Sequence, residues 1–139
     1  MSRERLFLDT AFIQALLNRR DQYHDRAAAF LPRVRSAAEV WVTEAVLVEV
    51  GNALSDLDRM AAVRFVEQCY HSSNMHVVSV DTSLLMRAVR LYRDRPDKLW
   101  GLTDCISFTA MQARRLIDAV TTDEHFVQAG YRALLIETE

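Results

Sequence analysis

Four carboxylates stand where they could do chemistry together: Asp9, Glu49, Asp104 and Asp123. Asp9 follows Leu8, and Asp104 and Asp123 each follow a Thr, at points where the chain could turn into a helix. Glu49 lies instead inside the apolar stretch Val46-Leu47-Val48-Glu49-Val50. A carboxylate among buried side chains is costly unless it is paired, hydrogen-bonded or bound to a cation. Four of them in one pocket would repel one another and take up protons, and a hard divalent cation relieves that repulsion. Mg2+ and Mn2+ suit such a pocket, since both take oxygen ligands and Mg2+ commonly combines one or two carboxylates with waters and phosphate oxygens. The chemistry to expect is metal-dependent hydrolysis of a phosphodiester.

Each acid also has an ordinary structural role available. An Asp directly before a helix is a common N-cap, which would account for Asp9, Asp104 and Asp123 singly. Glu49 caps nothing in mid-helix, although it could extend outward from the edge of the apolar stripe. Asp97, beside Pro96 in a charged loop, fits the site, its rim or a turn. His125 follows Asp123 closely enough to meet a phosphate, with a local helix-end hydrogen bond as the plainer role. The histidines at 24, 71, 76 and 125 lack zinc-ligand spacing. Neither a Gly-rich phosphate loop nor a Ser-His-Asp order is present.

Alternating strands and helices must position these acids. Leu6-Phe7-Leu8 predicts a buried strand ending at Asp9, and Phe12, Ile13, Leu16 and Leu17 give the next segment helical spacing. A second helix is expected over about His24 to Ala37, with Pro32 as a kink or boundary. Val40-Trp41-Val42 predicts a strand, and Thr43 and Glu44 suit the start of a helix carrying Val46, Leu47, Val50, Ala53 and Leu54. A further helix is expected from Met60, then a strand over His76 to Val80 and a helix capped by Asp81 or Ser83. Residues 93–102 read as a loop, and Thr103 as the cap of a helix from Asp104 to Arg115. A strand over Ile117 to Thr121, a short helix from Glu124 to Gln128 ended by Gly130, and a last strand over Arg132 to Ile136 complete the order. Such alternation predicts an open parallel sheet covered by helices on both faces. Ligands in these sheets bind beyond the carboxyl ends of the strands, where Asp9 and Asp123 fall.

Composition narrows the setting. A chain of 139 residues with a hydrophobic fraction of 50% suits one domain over residues 1–139, and only 3 Gly and 2 Pro argue against a turn-rich β-sandwich. Cys69 and Cys105 offer no disulfide framework. The charged start is too short of apolar residues for a signal peptide and no run is long enough for a membrane span, so a reducing cytoplasm is expected. A net charge of −2 gives no general affinity for polyanions, but Arg87, Arg90, Arg93, Arg95 and Lys98 precede Asp104, and Arg114-Arg115 follow it. Those basic residues form either a local nucleic-acid patch or a solvated helical face.

The motifs resemble PIN-domain ribonucleases, especially the VapC-type toxins of bacterial toxin–antitoxin pairs. The resemblance runs through Leu6-Phe7-Leu8-Asp9-Thr10, Thr43-Glu44-Ala45-Val46-Leu47-Val48-Glu49, Leu102-Thr103-Asp104-Cys105-Ile106-Ser107-Phe108 and Thr121-Thr122-Asp123-Glu124-His125-Phe126. Asp97-Lys98-Leu99-Trp100-Gly101-Leu102 is similar to the lead-in of one branch, except that Gly101 stands where a Ser is common. The resemblance implies a three-layer α/β/α sandwich with a mainly parallel sheet of about five strands, and Mg2+- or Mn2+-dependent endoribonuclease activity. It implies an acidic site of Asp9, Glu49, Asp104 and Asp123, with Asp9 and Asp104 on the principal metal, and Thr10, Ser107 and Asp97 as candidate support. It further implies an RNA substrate, a cognate antitoxin and a homodimer. The antitoxin surface would involve Phe12, Ile13, Leu16, Leu17 and Tyr23, unless these are core. Two other classes fit an alternating α/β chain: a catalytically silent PIN-like RNA- or protein-binding module, and a receiver-like domain phosphorylated on Asp9. The second lacks an acidic pair at the first strand and a late-strand Lys.

Overall fold

In the computed structural model, which describes residues 2–136, the first strand β1 (Arg5–Leu8) is buried on both sides. Strand alternation sends Leu6 and Leu8 to one face and Phe7 to the other, where each joins a separate apolar cluster. Only a central strand of a sheet covered on both faces needs that pattern. The remaining strands are β2 (Glu39–Thr43), β3 (Met75–Val78), β4 (Asp118–Val120) and β5 (Arg132–Ala133). They assemble in the order β3-β2-β1-β4-β5, and every neighbouring pair is parallel.

The Leu6 and Leu8 face is covered by α1 (Thr10–Leu17), α2 (His24–Ser36), α3 (Glu44–Leu54) and α4 (Arg59–His71). Phe12, Ile13, Val34, Val46, Val50 and Leu54 supply much of that core. The Phe7 face is covered by α5 (Thr82–Asp94), α6 (Leu102–Arg114) and α7 (Glu124–Gln128). There Phe108 meets Trp100 and Phe126 edge-on, with ring centroids 5.1 and 4.9 Å away. The result is the expected three-layer α/β/α sandwich around a five-stranded parallel sheet. Among the described residues no helix is long and apolar enough to cross a membrane.

Side-chain caps fix several boundaries. Thr43 Oγ1 accepts from the Val46 N–H at 3.2 Å, and Asp81, rather than Ser83, accepts from Leu84 N–H at 2.8 Å. Asp58 accepts from Ala61 N–H, so α4 begins at Arg59. β3 stops at Val78 because the Val80 N–H donates to the Glu44 carboxylate, 3.0 Å away, rather than to a strand. α2 continues through Pro32, and the Ala28 carbonyl left without its donor lies at an exposed residue where water can reach it.

Besides β3, the strand expected over Ile117 to Thr121 covers only Asp118–Val120, and three more expectations need correction. α6 begins at Leu102 with Gly101 in the cap position, so Thr103 is inside the first turn and does not cap it. α5 runs to Asp94, which shortens the expected loop to 95–101. β5 covers only Arg132–Ala133, because the chain turns back there and Ile136 N–H donates to the Ala133 carbonyl.

The far end of α6 is closed by paired bonds, Arg115 N–H to Gln112 O at 3.2 Å and Leu116 N–H to Met111 O at 2.9 Å. This closure puts Arg115 in the left-handed region at φ 58°. Arg5 then clasps the same helix end, donating to the carbonyls of Arg114 and Arg115 while pairing with Glu39. A side chain at that φ is strained, whereas glycine adopts it freely. Arg115→Gly should therefore raise stability by about 0.5–1 kcal/mol in urea unfolding. An unchanged or lower midpoint would contradict the strain assigned to this residue.

Candidate metal centre

The acids gather because β1 and β4 are neighbours that end together, with Leu8 paired to Val120. Asp9, the first residue beyond β1, donates its backbone N–H to Val120 O at 3.4 Å. It occupies the N-cap position of α1 but makes no side-chain cap. Its carboxylate instead accepts from Thr121 Oγ1 at 2.7 Å, and the residue is only 5% exposed. Thr121, wholly buried, also accepts from the Asp123 N–H at 3.0 Å. One hydroxyl therefore ties together the two strand ends that carry acids.

Asp123 does cap its helix, accepting from the His125 N–H at 2.9 Å. Asp104, in the first turn of α6, reaches back so that Oδ2 accepts from Gly101 N–H at 3.1 Å. The His125 ring joins these acids. Its Nδ1 lies 2.9 Å from Asp104 Oδ2 and 3.5 Å from Asp123 Oδ1. Asp104, Asp123 and His125 each present a ligand atom within 4.8 Å of the others.

Asp9 feels the charges of the same acids. Burial is the main cause that pushes its carboxyl up from 3.8 to about 7, and the charges of Asp104 and Asp123 add to it. Hydrogen bonds from Thr121 and Thr10 oppose the shift. Asp104 is raised too, again chiefly by burial and then by Asp123, against the Gly101 N–H and His125. Two further hydroxyls, Thr10 Oγ1 beside Asp9 and Ser107 Oγ one turn beyond Asp104, are buried without a hydrogen-bond partner. Buried polar atoms are seldom left unpaired, so a bound ligand or water is a natural complement. Close like charges, an imidazole and unpaired hydroxyls together fit a divalent cation with its water shell.

Glu49 departs from its expected surroundings. It is exposed, because Val48 and Glu49 fall outside the buried stripe of Val46, Leu47, Val50 and Leu54, and Val48 is itself 62% exposed. It is not one of the residues whose ligand atoms lie within 4.8 Å of one another, and it lines a shallow depression of about 360 Å3 with Thr103, the residue before Asp104. Asp97 is also exposed and takes a two-pronged bond from Arg95, at 3.0 Å on each arm. That pair holds the loop, with Arg95 packed over Trp100 at 5.2 Å. Thr121 and His125 are the residues the sequence undervalued. In sequence Thr121 reads only as strand and motif, although a hydroxyl two residues before Asp123 is a usable signal. His125 bonds across 21 positions to Asp104, where a local helix-end bond was the plainer reading.

A family model described as PIN domain matches residues 6–130. No curated protein matches the sequence significantly. Among solved structures the chain is similar to VapC20 from Mycobacterium tuberculosis, a sarcin–ricin loop cleaving toxin. The two share 24% identity over 91% of this chain and 96% of that one, with a TM-score of 0.82. FitAcB from Neisseria gonorrhoeae is similar at 17% identity, covering 92% of this chain and 94% of that one, TM-score 0.63. VapBC2 from Rickettsia felis, bound to a DNA fragment from their promoter, is similar at 12% identity over 91% and 93%, TM-score 0.60. At these identities the likeness to solved structures establishes a common fold.

The position of Asp9 has a measurable consequence for stability. Its folded-state pKa of about 7 lies above the ordinary value of 3.8, so the folded chain holds that proton more tightly than the unfolded chain does. The associated stability is complete below about pH 4 and is lost as pH rises through about 7. Asp9→Asn cannot ionise. In chelator at pH 8 it should be more stable than wild type by on the order of 2–4 kcal/mol, with the gap closing by about pH 4. Chemical unfolding across that pH range checks this, and a less stable variant at pH 8 would contradict the electrostatic account.

Proposed function

The chain belongs to the PIN domain family, and from that premise we propose that it is a metal-dependent endoribonuclease, the toxin of a type II toxin–antitoxin pair. The observation that carries this reading is the buried Asp9 carboxylate, set against Asp104 and Asp123 at the carboxyl ends of β1 and β4. In this reading Asp9 and Asp104 hold the principal Mg2+ or Mn2+, and Asp123 serves a second ion or orients ligands around the first. When bound, the ion neutralises phosphate charge and makes an attacking water more acidic.

The chain's own groups do the positioning. Thr121 fixes the Asp9 carboxylate, while Gly101 N–H and His125 fix that of Asp104. Thr10 and Ser107 have unpaired hydroxyls with which to hold water or a phosphate oxygen. Glu49, exposed beside Thr103, would in this reading accept a proton from water. Asp97 supports the loop at the rim through Arg95.

RNA would be gripped by basic side chains that the fold has not already engaged. Arg93 pairs with Asp94, Arg95 with Asp97, and Arg114 lies over Trp41. Of the basic residues around Asp104 that leaves Arg87, Arg90, Lys98 and Arg115 for phosphates, contacts that give affinity but little sequence information. Base choice then rests on loop shape and unstacked bases, and VapC20, a sarcin–ricin loop cleaving toxin, supports a structured RNA loop as the substrate class. An antitoxin segment would lie in the apolar cavity of about 600 Å3 lined by Phe12, Leu16, Leu17, Phe65 and Met75, with Arg35 and Arg64 also in its wall. The shared fold of FitAcB and VapBC2, the latter bound to promoter DNA, supports such a partner. A homodimer completes the proposed assembly, with exposed Val48 and Met86 available for self-association.

The deciding assay is RNA cleavage with Mg2+, with Mn2+ and with EDTA. Cleavage should require either ion, and Asp9→Asn or Asp104→Asn should each reduce the rate by at least about a hundredfold with the fold intact by circular dichroism. Cleavage that persists in EDTA or in both variants would refute the assignment.

A further inference from the structure

We infer that Leu99, Gly101 and Leu102 form an open apolar platform beside the acidic centre, on which an unstacked base of the RNA lies; this rests on the ribonuclease reading above. Gly101 is the starting point. Its φ of −77° is one that any residue adopts, and nothing stands within 4 Å of where a Cβ would be. Neither backbone conformation nor packing therefore calls for glycine, and Ser serves at least as well in a helix cap position. What glycine does provide is close approach to the backbone. Apolar surface flanks that approach, with Leu99 90% exposed and Leu102 37%. The Gly101 N–H is already taken by Asp104 Oδ2 at 3.1 Å, so it is not free to bind an anion. A planar, uncharged partner suits such a surface, and the face of a nucleobase is one.

The platform is held firmly and close to the acids. Arg95 grips Asp97 with two bonds of 3.0 Å and packs over Trp100, 5.2 Å from the ring centroid. Lys98 N–H donates to Arg95 O at 3.1 Å, and the buried Trp100 donates Nε1–H to Gln128 Oε1 at 3.1 Å. Leu99 is thus presented by a loop pinned on both sides of it, and little freedom is lost when a base packs there. Chain length bounds the distance to the chemistry. Two residues on from Leu99, within about 7 Å between Cα atoms, Gly101 bonds directly to Asp104. Lys98, next to Leu99, is among the basic residues left for phosphates, so one nucleotide can meet both side chains.

RNA binding followed by fluorescence anisotropy, in EDTA so that no cleavage intervenes, tests the inference. The probes are a hairpin RNA with an unpaired loop and a fully paired RNA duplex of the same stem sequence. Wild type, Leu99→Asn, Leu99→Met and Gly101→Ser are compared, and in urea Gly101→Ser should unfold at the wild-type midpoint or above it. Leu99→Asn and Gly101→Ser should each bind the hairpin at least about fivefold more weakly, the low end of what one base contact is worth, with duplex affinity within about twofold of wild type. Leu99→Met keeps an apolar side chain of similar size and should bind the hairpin as wild type does. Unchanged hairpin binding by Leu99→Asn or Gly101→Ser, or equal losses on hairpin and duplex, would overturn the platform. A wild type that binds the hairpin no better than the duplex would overturn it as well. Each of these results leaves the nuclease reading to its own cleavage assay, whose failure would remove both.

Discussion

The burial of one carboxylate within the field of two others is the constraint on which the sheet edge depends. Asp9 is held at the junction of β1 and β4 by a single hydroxyl, with water nearly excluded and like charges nearby. Nothing in the folding of the sheet requires an acid there. The parallel order that makes β1 and β4 neighbours also brings the start of α7 beside the end of β1. The core on both faces must supply enough apolar burial to tolerate the resulting repulsion, and Phe7, Leu6 and Leu8, all essentially inaccessible, do so from the strand that leads into Asp9.

That arrangement is a local conflict between folding and chemistry. At other helix starts local signals and the global fold agree, as with Thr43 and Asp81 capping the helices they precede. At the acids they disagree: Asp9 stands at a helix start without capping it, and Thr10 and Ser107 are buried without partners. Such departures from ordinary satisfaction concentrate in one place. Sites that bind or catalyse commonly carry this kind of stored cost.

Much of this was legible because it follows from short-range rules. Leu6-Phe7-Leu8 reads as a strand buried on two faces, and the spacing of Val46, Leu47, Val50 and Leu54 gives the inward side of α3. The same periodicity, applied strictly, also puts Glu49 outside, next to exposed Val48. What stayed hidden was long-range or depended on competition for partners. The start of α6 at Gly101 depends on Asp104 reaching back for a backbone N–H, and the end of β3 on Glu44 taking the N–H of Val80. The meeting of Thr121 with Asp9 and of His125 with Asp104 spans 112 and 21 positions, beyond the reach of any local pattern.

The clasp at the far end of α6 has a mechanical consequence. A helix of 13 residues is a stiff rod roughly 20 Å long. Arg5 anchors its base to the opening of β1, while Asp104 rides near its tip. Small tilts at the anchor are carried along the rod, so a guanidinium remote from the acids helps set how far one of them projects over the sheet edge.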